Sequence, residues 1–425
     1  MIARRAAVLR ERDFRRFYAG YVTSLLGTAM STVAVAFAVL DSGGTATDLG
    51  LVFAAGIVPQ VVLLLSGGVI ADRFSRRWVM LTADAVRCAA QAGLAAALFL
   101  GRPHIWLFVL AVVVRNAGDA FFNPALSALT VEITPPDQLG DANAMFSLAR
   151  SAAAVAGPAL AGILIAVTSP AVVLAVDAAS YGASVLALSL IRPRSWPRAQ
   201  ARSMLRELRD GWAEFRSRTW LVVTAVQFTL FNLFLWGPYL LLGPVLSKQY
   251  LGGARAWGTI MAAYGAGSVI GGLAALGRRP RRPIIAGTIL TVAYAAPAAL
   301  LALHAPLTGV AGGALVAGFG SAMAGAFEAT ALQHQVPPAA LGRVTAIQAV
   351  TAFAFGPLAF AAAGPAAAAV GARPVLAFGA AVNVLGCAVV LAIPAVRAVT
   401  WRLFIPNGSA MAANASAASG PPGGS

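Results

Sequence analysis

Apolar residues recur along this chain in runs too long for the core of a soluble domain. Gly, Pro and charge clusters cut the sequence into twelve such runs: 16–40, 49–71, 78–100, 104–131, 140–167, 171–191, 219–246, 255–277, 283–303, 307–333, 343–370 and 374–396. A helix rising about 1.5 Å per residue needs about 20 mostly apolar residues to cross a hydrocarbon layer of roughly 30 Å. There is no water in that layer to satisfy backbone N–H and C=O groups, so each run is expected to close its hydrogen bonds within itself, as a helix. The fold class predicted is all-α and integral to the membrane. A polar stretch, 192–218, separates the sixth run from the seventh. After about Trp401 the chain turns small and polar and is expected to be disordered.

An internal repeat at an offset of 202 residues gives the halves. Arg76-Arg77 maps on Arg278-Arg279, and Pro135-Pro136-x-x-Leu139-Gly140 maps on Pro337-Pro338-x-x-Leu341-Gly342. Val173-Leu174-Ala175 maps on Val375-Leu376-Ala377 at the same offset. The expected organisation is two pseudo-symmetric six-helix bundles, 1–191 and 219–396, a linker at 192–218 and a tail at 397–425. Parallel repeats of this kind hold substrate between the halves near the midplane. Within the linker, Leu205, Leu208, Trp212 and Phe215 recur at helical spacing with arginines on the other side, which suggests a helix in the membrane interface.

Composition agrees. The 425 residues are 59% hydrophobic and 11% charged, where soluble domains carry roughly 25% charged residues; the mean hydropathy is +0.78. The net charge of +16 does not point to nucleic acid, because the arginines sit in short clusters between apolar runs. With the N-terminus inside, 24 basic residues face the cytoplasm and four (Arg102, Lys248, Arg255, Arg373) face out. This bias places both termini in the cytoplasm. The apolar stretch after the N-terminal arginines is longer than the roughly 7–15 residues of a signal peptide, so it reads as an uncleaved first span.

Little else in the chain suggests chemistry. Lys248, the only lysine, follows Ser247, so no phosphate-binding Gly-Lys loop exists. His104, His304 and His334 are isolated, and Cys88 and Cys387 fall inside apolar runs as packing residues. The expectation is no enzyme, no metal and no cofactor.

The loop after the second run reads Gly68-x-x-Ala71-Asp72-Arg73-x-Ser75-Arg76-Arg77. It resembles the signature loop of the major facilitator superfamily, with Ser75 for the usual glycine; in the second half Ala274 stands where Asp72 would map. The resemblance implies a conformational latch made by Gly68, Asp72, Arg73, Arg76 and Arg77. Asp84 and Arg87, one turn apart, are expected to join it through an ion-pair network with Asp72 and Arg76. Gly157-Pro158-x-x-x-Gly162 is similar to the Gly-Pro motif of drug exporters in that superfamily; plain small-residue packing is the other reading. Asp13-Phe14-Arg15, Asp84-x-x-Arg87, Phe122-Asn123-Pro124-Ala125, Asp177-x-x-Ser180 and Leu332-Gln333-x-x-Val336-Pro337 narrow the resemblance to the branch of enterobactin-exporter-like and macrolide-efflux-like proteins. It runs over roughly residues 10–400.

Ionisable groups at bilayer depth cost at least about 2.5 kcal/mol each, so they mark pairing or function. Arg115 falls close to the midplane, with Asp119 one turn further on the same face. Asp119 is the expected proton carrier, tuned by Arg115, and Glu328 a second candidate; a permanently neutralised Arg115–Asp119 pair is the structural alternative. For Asp177, near the outer end of its run, the resemblance implies a packing or capping role rather than coupling. Asn116, Asn123, Arg150, Gln227, Asn232 and Trp236 are candidates for the substrate cavity, since amides among aromatics suit an amphiphilic cargo. The function expected is export of a small amphiphilic molecule (drug, macrolide-like metabolite or siderophore), coupled to proton entry, by a monomer in the bacterial inner membrane. An uptake symporter and a non-transporting scaffold are the alternatives.

Overall fold

The computed structural model describes residues 6–73, 75–191, 212–353 and 355–400, and every regular element among them is helical. In chain order the long helices are α1 Arg12–Asp41, α2 Ala46–Arg73, α3 Arg76–Leu100, α4 Ile105–Ile133, α5 Leu139–Val167 and α6 Pro170–Ser189. There follow α7 Thr219–Leu251, α8 Ala254–Ala275, α9 Pro283–Ala302 and α10 Leu307–Gln335, then α11 Pro338–Phe353, α12 Gly356–Val370 and α13 Ala372–Ala392. Ten helices among the described residues are long and apolar enough to cross a membrane. Shorter apolar helices at Ala46–Pro59 and Gly356–Val370 fill the second and eleventh places. Large apolar side chains such as Val62, Leu148, Leu186 and Leu385 are exposed, as a surface solvated by lipid requires.

Three spans depart from the expected limits. The eleventh, expected as one run over 343–370, is two helices, α11 and α12. Gly356-Pro357 starts the second, since proline offers no N–H to continue the ladder from the first. The seventh extends past 246 to Leu251 and widens into π turns at Asn232–Trp236 and Ser247–Leu251. Pro238 cannot donate to the carbonyl of Phe234, and Gly379 of α13 packs against that carbonyl; a Cβ there would lie 2.1 Å from the oxygen. The ninth carries a 3-10 turn at Val292–Tyr294. Residues 192–211 of the linker and the tail from 401 lie outside the described residues. Of the expected interface helix, Phe215 is buried with Trp220, Leu221 and Ile284 rather than facing lipid.

Packing divides the helices into two sets. Helices α1–α6 pack on one another, as do α7–α13; the sets meet chiefly along α5 with α8 and α2 with α12. Both seams are backbone contacts that only glycine permits. A Cβ on Gly258 would lie 2.5 Å from the Pro158 carbonyl, and one on Gly162 2.7 Å from the Ala254 carbonyl. A Cβ on Gly50 would lie 2.5 Å from the Phe360 carbonyl. Buried apolar residues near the α1–α2 link, including Val35, Phe37 and Leu49, share one core with Leu235, Tyr239 and Trp257 of the later set. At the opposite end each set has its own core, one around Phe14, Phe17 and Phe146 and one around Phe215 and Trp220. Lys248 Nζ reaches Asp41 Oδ1 at 2.6 Å and the Leu40 carbonyl at 2.8 Å, tying the sets at their joined end. The two sets therefore share a core where α1 ends, around an open recess between the α1–α2 link and α7, and have separate cores where α1 begins.

Adjacent glycines of α8 give a test of this packing. A Cβ on Gly271 would meet the Phe319 carbonyl at 2.3 Å, whereas one on Gly272 meets nothing within 4 Å. Gly271→Ala is expected to destabilise by about 1–3 kcal/mol, because backbone has to shift. Gly272→Ala is expected to be neutral or to stabilise by up to about 1 kcal/mol. Thermal unfolding in detergent checks both; equal effects would contradict the packing described.

Candidate transport site

The first set of helices holds a polar network in an otherwise apolar interior. Arg87 of α3 is its centre. Its guanidinium donates to Asp84 on the same helix and, from Nη1, to Asp119 Oδ1 of α4 at 2.5 Å. Asp84 Oδ2 accepts from Ser184 Oγ of α6 at 2.6 Å. The guanidinium carbon sits 4.5 Å from the Phe122 ring centroid and 4.8 Å from that of Tyr181, so its faces are covered by π clouds while its edges meet carboxylates. Arg87 is 4% exposed, Asp84 is 0% and Asp119 is 21%, which leaves Asp119 as the member that solvent reaches.

This corrects the expected pairing of Arg115 with Asp119. Gly118 is the reason: a Cβ there would lie 2.8 Å from both Cγ and Cδ of Arg87, so glycine opens a channel for the side chain to cross from α3 to α4. Arg115 instead donates from Nε to Asn116 Oδ1 at 3.3 Å. Asp177 does more than pack at a helix end. It is fully buried, accepts from Gln91 Nε2 at 2.6 Å, and lies against Gly27, where a Cβ would be 2.8 Å from Oδ1. Gln91 Nε2 also donates to Ser31 Oγ at 2.7 Å. Asp177 Oδ1 and Arg115 Nη1 are both buried without a hydrogen-bond partner among the described residues. The interior of the first set thus holds three carboxylates and two guanidiniums, with Arg87, Asp84 and Asp119 in one contact group and Asp177 with Gln91 in another.

The other candidates separate. Asn116 is buried and donates to the Gly56 carbonyl at 2.8 Å, so it clamps α4 to α2 instead of lining a cavity. Asn123 is exposed, and Arg150, also exposed, donates to Tyr21 Oη at 3.0 Å. Asn232 bonds back to the Phe228 carbonyl of its own helix. Trp236 belongs to an aromatic cluster with Phe231, Tyr239, Tyr264 and Tyr294, whose ring centroids lie 5.3–6.1 Å from its own. Gln227 and Glu328 face a recess among α7, α9 and α10.

The expected network of Asp84 and Arg87 with Arg76 is not formed. Arg76 pairs with Glu132 at the end of α4. Arg77 donates to the carbonyls of Leu188 (2.8 Å) and Ser189 (2.5 Å), capping the C-terminus of α6. In this state both arginines hold helix ends within the first set. The side chains of Gly68, Asp72 and Arg73 lie outside the described residues. In the Gly-Pro motif, Gly157 packs on Ala29 of α1, while Pro158 and Gly162 form the seam with α8.

Ser184, Tyr181, Gln91 and Glu132 were not foreseen. The first two had a signal in the sequence: Asp177, Ser180, Tyr181 and Ser184 recur every three or four residues, a polar stripe on one face of α6.

Ten helices long and apolar enough to span a membrane and two shorter apolar ones, packed in two sets, define a multi-pass membrane protein. The chain belongs to the Major Facilitator Superfamily, whose model matches residues 17–361. It is 27% identical over 264 residues to "Macrolide efflux protein A" of Streptococcus pyogenes, covering 61% of this chain and 65% of that protein. The match to this first curated relative thus spans just under two thirds of the relative's length. It is 27% identical over 372 residues to "Multidrug efflux pump Tap" of Mycolicibacterium fortuitum, covering 82% of this chain and 88% of that one. In fold it resembles the crystal structure of the nucleoside transporter NupG (TM-score 0.70, 13% identity, 90% of this chain and 98% of that one). It also resembles an inward-facing bacterial homologue of the human lysosomal transporter Spinster (TM-score 0.69, 14% identity, 93% and 99%).

Proposed function

We propose that this protein exports a small amphiphilic molecule across the bacterial inner membrane, driven by proton entry, with both termini in the cytoplasm. The observation that carries the reading is a charge count. The interior of the first set holds Asp84, Asp119 and Asp177 against Arg87 and Arg115, so these groups together are one proton short of neutrality. A net charge in a low-dielectric interior is costly, and one bound proton removes it. Asp119, the exposed carboxylate held at 2.5 Å by Arg87, is the group that takes up a proton from outside once the joined, outer end is open. Protonation there leaves Arg87 balanced by Asp84 alone and loosens α4 from α3. Residues 1–191 then rock against 219–396 about the α5–α8 seam, closing the joined outer end and opening the parted cytoplasmic one, where the proton leaves. The names of the relatives support efflux of drug-like cargo.

The test uses proteoliposomes loaded with a radiolabelled macrolide and an internal pH dye, with acid applied outside. Wild type is expected to release cargo as the lumen acidifies; accumulation instead would indicate a symporter. In Asp119→Asn both movements are expected to fall to the leak rate while cargo binding persists. Unchanged coupling in that variant would move the proton site away from Asp119.

A further inference from the structure

A recess among α7, α9 and α10 is lined by described residues of the later set alone. It holds Glu328, which is the only acidic side chain in the sequence beyond Glu214. None of the residues that line the recess is basic. Among the described residues Glu328 forms no ion pair, and its hydrogen bond comes from Gln348 Nε2, at 3.2 Å.

The hydroxyls around it are already committed as donors. Thr224 donates to the Trp220 carbonyl (3.0 Å), Thr288 to that of Ile284 (2.9 Å) and Thr291 to that of Gly287 (3.0 Å). A hydroxyl has one proton, so each has only lone pairs left to offer. Gln227 gives one amide N–H to Cys387 Sγ at 3.0 Å, which leaves its second N–H and its carbonyl oxygen. The polar lining is thus a carboxylate, three hydroxyl oxygens and one amide: acceptors, apart from the second N–H of Gln227. The rings of Phe228 and Phe231, stacked at 5.5 Å, add π faces that attract cations. The cavity measures about 50 Å³, and a water needs roughly 10–15 Å³ of such space. It therefore admits a small head group, while Phe228, 42% exposed, offers a surface for an apolar body.

We infer that this recess binds the protonated amine head of an amphiphile. The ammonium N–H donates to Glu328, methyl or methylene groups on nitrogen contact the phenyl rings, and the apolar part rests on Phe228. Because the lining asks for a donor, a protonated tertiary amine binds better than a quaternary ammonium of the same shape. The inference rests on the efflux reading only in giving the cargo a charge. Its test is equilibrium binding, so either reading can fail without the other.

The full chain in lipid nanodiscs is dialysed at neutral pH against three probes: N,N-dimethyl-1-naphthylmethylamine, its trimethylammonium analogue, and the uncharged isobutylnaphthalene. Wild type is expected to bind the amine most tightly. Glu328→Gln keeps the side-chain volume, and is expected to weaken the amine about tenfold or more without changing uptake of the hydrocarbon. Thr291→Val should weaken the amine by a smaller factor, about threefold to tenfold. Thermal unfolding of both variants reports whether the fold is intact. Unchanged amine affinity in Glu328→Gln, equal losses for amine and hydrocarbon, or equal affinity for amine and quaternary salt in wild type would each overturn the assignment.

Discussion

Replacing Arg87 by alanine is expected to cost about 3–5 kcal/mol of stability, the effect of leaving buried charge without its partner. The guanidinium is the only cation in contact with Asp84 and Asp119 among the described residues. Asp84 is fully buried, so water cannot take the place of the lost donor. The substitution also empties the channel above Gly118 and removes the contacts with Phe122 and Tyr181. The charge component separates from the packing component in a second variant. Arg87→Gln with Asp84→Asn and Asp119→Asn removes the whole ionic group at similar volume, and is expected to recover most of the loss. Unfolding in detergent, followed by thiol-reactive dye or intrinsic fluorescence, measures both. If Arg87→Ala alone cost less than about 1 kcal/mol, the carboxylates would have to be neutral already, and the charge count behind proton coupling would lose its basis.

Much of the fold was legible because the bilayer imposes one rule on every span. Apolar length specifies a helix, and the arginine clusters between runs gave the segmentation. The eleventh span shows where that rule ends. Gly356-Pro357 sits inside an apolar run, so hydropathy joins what the missing N–H divides. The π turns of α7 were hidden for a similar reason, since Pro238 and Gly379 act on each other from helices far apart in sequence.

The site was less legible. Asp84, Arg87, Asp119 and Arg115 stand out as charges within apolar runs, and helical spacing pairs each with its neighbour one turn away. The pairing that forms between α3 and α4 depends on Gly118, and nothing in local spacing says that an arginine from another helix will use the gap. Asn116 is a like case: an amide at bilayer depth suggests cargo, yet a close approach of α2 at Gly56 turns it into a clamp. Glu328 is the reverse. Its isolation as the last acidic side chain of the sequence is plain, while the acceptor-rich lining that gives it meaning comes from hydrogen bonds on three helices.

Widening the joined end is expected to change which way the transporter faces. Gly364 of α12 packs against the first turn of α2, where a Cβ would lie 2.5 Å from Thr47 Cα and 2.7 Å from the Ala46 carbonyl. Both neighbours are backbone, so no rotamer change relieves the clash. Overpacking of this kind costs about 1–3 kcal/mol. The contact belongs to the state closed at this end, and a state opened here would not feel the added methyl groups. Gly364→Val therefore penalises one state selectively, and a difference of about 1.4 kcal/mol is about tenfold in population. The shift expected is about fivefold to 150-fold toward opening where α1 ends, with transport reduced because the return step is slowed. Spin labels at Arg102 and Gln249, exposed on the two sets near this end, report it as a longer distance population once Cys88 and Cys387 are replaced by alanine. Asp41→Asn, which weakens the tie from Lys248, should move the same distribution less, since that pair is largely exposed. An unchanged distribution in Gly364→Val, with transport intact, would mean that the α2–α12 seam is kept throughout the cycle, and the moving boundary would then have to be sought elsewhere.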